Sequence, residues 1–129
     1  MPFTDQFDLH GQTALVTGAT RGIGKSMAIA LAEAGSDIIL IQRDDSNTGT
    51  RDEVRALGHA ATIYTADLAQ REEIKGIVKK ILEDGHDISI LVNCAGIQRR
   101  HPAEQFPDED WDEVRRAQRR KMRPLWLTT

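Results

Sequence analysis

Apolar residues fall along this chain in two alternating rhythms. "TALVTG" (13–18) is a short apolar run ending in glycine, and Ile23, Met27, Ala30, Leu31 and Ala34 then recur at helical spacing. A continuous run bounded by turn residues reads as a strand, and a three-to-four repeat as a helix packed along one face. Gly35 stands where a helix C-cap belongs, and "DIILI" (37–41) follows as a second strand. A weaker helical stretch covers 47–57 and ends at Gly58, and a strand covers 60–66. A helix then carries Ile74, Ile77, Val78, Ile81 and Leu82 as its stripe, and after Gly85 comes "ISILVN" (88–93), a fourth strand apolar on both faces.

Strands alternating with helices in this way predict an α/β fold, a Rossmann-like parallel sheet with right-handed crossovers and helices on both faces. About four strands make it incomplete, the first half of a doubly wound fold. Ligands of such sheets bind beyond the C-terminal strand ends, so functional residues are expected at Gly18, Gln42 to Asp44, Asp67 and Asn93.

Composition narrows this only a little. The 129 residues suit one domain, and 40% hydrophobic with 29% charged residues is ordinary for a soluble globular chain. No apolar run approaches the ~18 residues that a membrane span needs. The N-terminus has neither a basic start nor an apolar stretch, and Cys94 is the single cysteine, so a reducing, cytoplasmic setting without disulfides is expected.

Charge is more telling. The net −3 hides an asymmetry: residues 1–114 hold eleven basic and twenty acidic residues, a formal −9, while "RRAQRRKMRPLWLTT" (115–129) holds six basic residues and no acid. We therefore divide the chain into a partial dinucleotide-binding domain, 1–114, and an atypical basic tail, 115–129. An acidic body repels nucleic acid, which sets that partner class well behind.

The first turn carries the candidate chemistry. "TGATRGIG" places Gly18, Gly22 and Gly24 between the first strand and the first helix, where backbone N–H groups of a helix N-terminus attract phosphate. The spacing is G-x-x-x-G-x-G rather than the general G-x-G-x-x-G.

Thr17 to Gly24, then Asp67-Leu68, then Asn93-Cys94-Ala95-Gly96 resemble, in order, the motifs of the short-chain dehydrogenase/reductase family. The resemblance covers residues 7 to about 114, with Cys94 in place of the more usual second Asn. "FDLHGQTALVTGA" and "CAGIQRRHPAEQFPDEDWDEV" further resemble the branch acting on gluconate and deoxygluconate derivatives.

The resemblance implies a nicotinamide cofactor site. Its residues would be Thr17, Gly18, Arg21, Gly22, Ile23, Gly24, Arg43, Asp67, Leu68 and Asn93. By position, the glycine backbone and Ile23 would meet pyrophosphate and ribose, and Asp67 with Leu68 beside it would meet the adenine. Asn93 would lie near the adenosine ribose and help pin the fourth strand. The bland readings are a helix N-cap for Asp67, a strand terminator for Asn93 and a small buried hydrophobe for Cys94.

Cofactor preference turns on the end of the second strand, "IQRDD". Gln42 occupies the place where NAD-dependent relatives usually carry an acid, Arg43 follows, and Arg21 lies in the glycine turn. Two guanidinium groups are what a 2′-phosphate recruits, so NADP(H) is expected, with NAD kept as the alternative by Asp44 and Asp45.

Catalysis in the resembled family uses a Ser and a Tyr-x-x-x-Lys, the Tyr activated by the Lys ammonium. The only tyrosine here, Tyr64, is followed by Thr, Ala, Asp and Leu, so no catalytic residue is assigned. Asp108, Glu109 and Asp110 suit a helix start, with Trp111 and Val114 on one face, but the apolar pattern ends after Val114 and Pro124 is expected to stop any helix. An altered reading frame, a retained intron or a mistaken gene model is the expected source of that break.

His10, His59, His86 and His101 lie on different loops without ligand spacing and read as surface histidines rather than a metal site. Arg99, Arg100 and His101 would lie by the substrate mouth or simply be solvated, and the substrate itself stays open. Two functions follow from these residues: a truncated, inactive oxidoreductase on a hydroxyl or carbonyl compound such as a sugar acid, or a non-catalytic dinucleotide-binding protein. The outer edge of the fourth strand is expected to invite association with another chain.

Overall fold

A computed structural model of the chain describes residues 3–96 and 100–126. Four strands form one parallel sheet: β1 (Thr13–Thr17), β2 (Asp37–Gln42), β3 (Ala61–Thr65) and β4 (Ile90–Asn93), in the order β3-β2-β1-β4. Every neighbouring pair is parallel, with Thr17 opposite Ile41 on one side and Asn93 on the other. The helices are α1 (Gly22–Glu33), α2 (Gly49–Ala56), α3 (Arg71–Glu83) and α4 (Asp108–Trp126).

The pleat divides the sheet's side chains into two cores. Ala14, Val16, Ile38 and Leu40 pack with Ala28, Ala32 and Val54 on the face covered by α1 and α2. Leu15, Ile39, Ile41 and Tyr64 pack with Ile77, Val78 and Ile81 of α3 on the other. This is why β1 and β2 read as continuous apolar runs: both faces are covered, so successive residues are buried alike. The predicted incomplete, Rossmann-like α/β sheet is the fold observed.

Several local expectations need correcting. On α1 the fully buried residues are Gly24, Ala28 and Ala32; of the predicted stripe Leu31 packs against the same core, while Ile23 and Met27 are 71% and 43% exposed. Small residues four apart let α1 lie close to the sheet, which leaves Ile23 and Met27 turned away. Leu82, read as part of the α3 stripe, is half exposed, since Ile74, Ile77, Val78 and Ile81 already fill that contact. The β4 ladder is shorter than predicted and all four of its residues are only half-buried, because β4 lies at the sheet's edge.

Pro124 does not stop α4, which runs to Trp126 and passes unbroken through Val114. A proline ring already holds a helix-compatible φ. Its missing N–H costs a single i→i−4 bond.

Candidate functional site

β1 delivers the chain to the C-terminal edge of the sheet, and three glycines then turn it into α1. Gly18 and Gly22 adopt φ of +68° and +61°, a region where side chains are strained. A Cβ on Gly18 would stand 2.6 Å from the Ala95 backbone nitrogen, and one on Gly24 would stand 2.1 Å from the Gly18 carbonyl oxygen. Those two glycines are therefore needed for close backbone packing. Gly22 differs, because nothing lies within 4 Å of where its Cβ would be.

The turn is tied to its surroundings by two buried threonines. Thr17 Oγ1 accepts from the Cys94 and Ala95 backbone N–H groups, each at 3.1 Å. Its side chain thus serves to join the end of β1 to the loop after β4, and it does not line the cleft described below. Thr50, in the first turn of α2, donates to the Ala19 carbonyl at 2.6 Å. Lys25 and Glu53 add an ion pair of 2.8 Å between α1 and α2, half-exposed and so a small contribution.

The ends of β1, β2 and β3 and the loop after β4 surround an open cleft of about 900 Å³, within the range of small-ligand sites. Eight of the ten predicted residues line it: Gly18, Arg21, Gly22, Ile23, Gly24, Arg43, Asp67 and Leu68. Thr17 and Asn93 lie outside the lining. Asn93 instead holds its Oδ1 buried without a hydrogen-bond partner among the described residues.

The electrostatics of the cleft are uneven. Arg21, the N-cap residue of α1, makes no side-chain cap, so the first N–H groups of α1 keep their hydrogen-bonding capacity. The side chains of Arg21 and Arg43 are both exposed and line the cleft without an ion pair among the described residues, and the Arg43 charge acts on neighbouring Asp44. Ser46, through its hydroxyl and its N–H, bonds Asp44 Oδ1 and holds that carboxyl below the usual carboxylate range. Asp44 is thus charged at neutral pH, with one oxygen committed to its own loop.

Asp67 is not the N-cap of α3, a position taken by Gln70. Its Oδ1 accepts from the Ala69 N–H at 3.0 Å, while its own N–H donates to Glu73. Cys94, read as a buried hydrophobe, is half-buried and lines the cleft.

Sequence reasoning missed Ser46, Asn47 and Thr50 as parts of this region. The first two sit in "DDSNTG", whose composition marks a turn, but Thr50 carries no such signal. Ala117, placed in the basic tail, also lines the cleft, brought there by α4.

Three residues outside the cleft also bear on chemistry. Tyr64 donates to Asp84 Oδ2 at 2.6 Å, and burial, with that carboxylate second, pushes its pKa up to about 12. A phenol so held keeps its proton at neutral pH. His10 and His59, expected on separate loops, meet edge to face at 5.9 Å beside Asp37, at the N-terminal end of the sheet and away from the cleft.

These residues fit an elongated anionic ligand. The fit rests on the open space above Gly22, the uncapped start of α1 and the two exposed guanidinium groups at the cleft.

The family pattern described as short chain dehydrogenase matches residues 12–117. A 2-dehydro-3-deoxy-D-gluconate 5-dehydrogenase of Bacillus subtilis (strain 168) is 44% identical over 110 residues, 85% of this chain and 43% of that protein. A gluconate 5-dehydrogenase of Gluconobacter oxydans (strain 621H) is 39% identical over 115 residues, covering 88% and 45%. Among solved structures, a gluconate 5-dehydrogenase from Burkholderia cenocepacia J2315 in complex with NADP and tartrate superposes with a TM-score of 0.81 at 35% identity. That match covers 92% of this chain and 47% of the other. The chain thus spans just under half the length of the curated relatives it matches.

Proposed function

Since the chain belongs to the short chain dehydrogenase family, we propose that these residues form the NADP(H)-holding half of a gluconate 5-dehydrogenase-type oxidoreductase. The observation that carries the cofactor reading is the pair Arg21 and Arg43, both at the cleft and both without an ion-pair partner among the described residues. An NADP complex of a 35% identical relative supports the same choice. When bound, the dinucleotide would supply or receive a hydride at its nicotinamide.

The chain's own residues bind and orient. Free N–H groups at the start of α1 and the open floor at Gly22 would accept the pyrophosphate, and Asp67 with Leu68 would flank the adenine. Arg21 and Arg43 would grip the 2′-phosphate by charge-assisted bonds. Asn93 would stand at the ribose side, at the C-terminal end of β4.

Proton transfer is a separate matter. Tyr64 is committed to Asp84 and lies outside the cleft lining, and the 129 residues contain no Tyr-x-x-x-Lys. By itself this stretch is therefore read as binding without turnover, with a sugar acid as the substrate class of the whole enzyme. A cytoplasmic setting accompanies the reading, and among the described residues no helix is long and apolar enough to cross a membrane.

Titration with NADPH and NADH, followed by cofactor fluorescence, tests the proposal. NADPH should bind about tenfold more tightly or better, from one or two charge-assisted bonds. Tighter NADH binding would reject the cofactor reading, and steady NADPH oxidation with 5-keto-D-gluconate would reject the absence of turnover.

A further inference from the structure

Gln42, the last residue of β2, is 4% exposed although it opens the loop that carries Arg43. Its Nε2 donates to two carbonyls of that loop, Asp44 at 3.2 Å and Asn47 at 2.9 Å. Both partners can only accept, which fixes the orientation of the amide. Its Oε1 is left enclosed, without a hydrogen-bond partner among the described residues. The side chain therefore has no free donor to offer a ligand, and it is spent on shaping the backbone after β2.

The same segment is pinned at its other end. Asn47 Oδ1 accepts from the Gly49 N–H at 3.2 Å and leads the chain into α2. Thr50, 1% exposed, then reaches across to the Ala19 carbonyl, two residues before Arg21. Between the two pins the Asp44–Ser46 bonds close a tight turn. Arg43 thus sits on a strut braced to β2 at one end and to the glycine turn at the other.

We infer that Gln42 and Thr50 are positioning residues which set the NADP(H) preference indirectly, by holding the backbone of Arg43 in a fixed relation to that of Arg21. The inference rests on the NADP(H) reading above. A loop without these pins would sample many conformations, and ordering it on binding would subtract from affinity for the ligand that needs both arginines. It also changes what the missing acid at position 42 means. A carboxylate there cannot donate to the Asp44 and Asn47 carbonyls, so Gln42→Glu should dismantle the strut instead of creating a ribose-binding acid.

The test uses the full chain with Gln42→Met, Gln42→Glu, Thr50→Val and Thr50→Ser. Amide hydrogen exchange over residues 43–48 is measured without cofactor, and NADPH and NADH are titrated against each variant. Exchange in 43–48 should quicken in the Met, Glu and Val variants, with NADPH binding about tenfold weaker and NADH binding weakened less. Thr50→Ser, which keeps the hydroxyl, should restore both readouts. Unchanged exchange in 43–48, or a Gln42→Glu variant that binds NADH more tightly than wild type, would overturn the inference. Should the position-42 variants fail to fold, the Thr50→Val and Thr50→Ser pair carries the same decision. A wild-type chain that favours NADH overturns the cofactor reading itself, and that is seen before any variant is made.

Discussion

Gly18, Gly22 and Gly24 do separate work within one turn. Alanine at 18 or 24 would drive its methyl into backbone atoms at 2.6 Å and 2.1 Å, so each should destabilise the fold by about 3 kcal/mol in a denaturant melt. Alanine at 22 meets open space and only the left-handed strain, about 1 kcal/mol. Gly22→Ala should therefore melt close to wild type while losing cofactor affinity, because its methyl occupies the phosphate's floor. A second prediction concerns the arginines. Arg43→Ala should weaken NADPH binding about tenfold and NADH binding hardly at all, by titration, and the wild-type preference should narrow as salt is raised, since both side chains are exposed. At this scale the glycines and arginines were legible as letters in a motif. Gln42 was legible only as the place of a missing acid, and Thr50 not at all, because what their side chains brace depends on which carbonyls the fold brings to them.

At the scale of elements, period and turn chemistry placed the four strands and the α-helices between them, and the errors of burial share one cause. Spacing shows that α1 is a helix but not which of two faces meets the sheet, and the small-residue face won because it permits close approach at Gly24. Likewise the half-burial of β4 follows from its place at the edge, which no local pattern encodes. The β3–α3 contact yields a pH prediction. Tyr64 has its pKa raised from 10 to about 12 in the folded chain. Its contribution should be complete below pH 10 and lost as pH rises from 10 through 12, since the unfolded chain releases the proton first. Tyr64→Phe, which gives up the bond to the exposed Asp84, should lower stability by about 1 kcal/mol at pH 7 and flatten the alkaline limb of a pH-dependent melt.

For the whole molecule, the sheet's two faces are covered but its β4 edge has no further strand among the described residues. Ile23 and Met27 add exposed apolar surface on α1. An edge of this kind templates pairing, so size-exclusion chromatography should find the chain associated, and a monomer that melts cooperatively would count against that expectation. The central claim is that the C-terminal strand ends hold an NADP-type dinucleotide. Hydrogen-exchange mass spectrometry with and without NADP tests it most directly, and it tolerates association. Protection should appear over residues 18–24, 43–48 and 67–69, while the His10–His59 end of the sheet stays unchanged. Protection confined to that opposite end, or none anywhere at saturating NADP, would contradict the account.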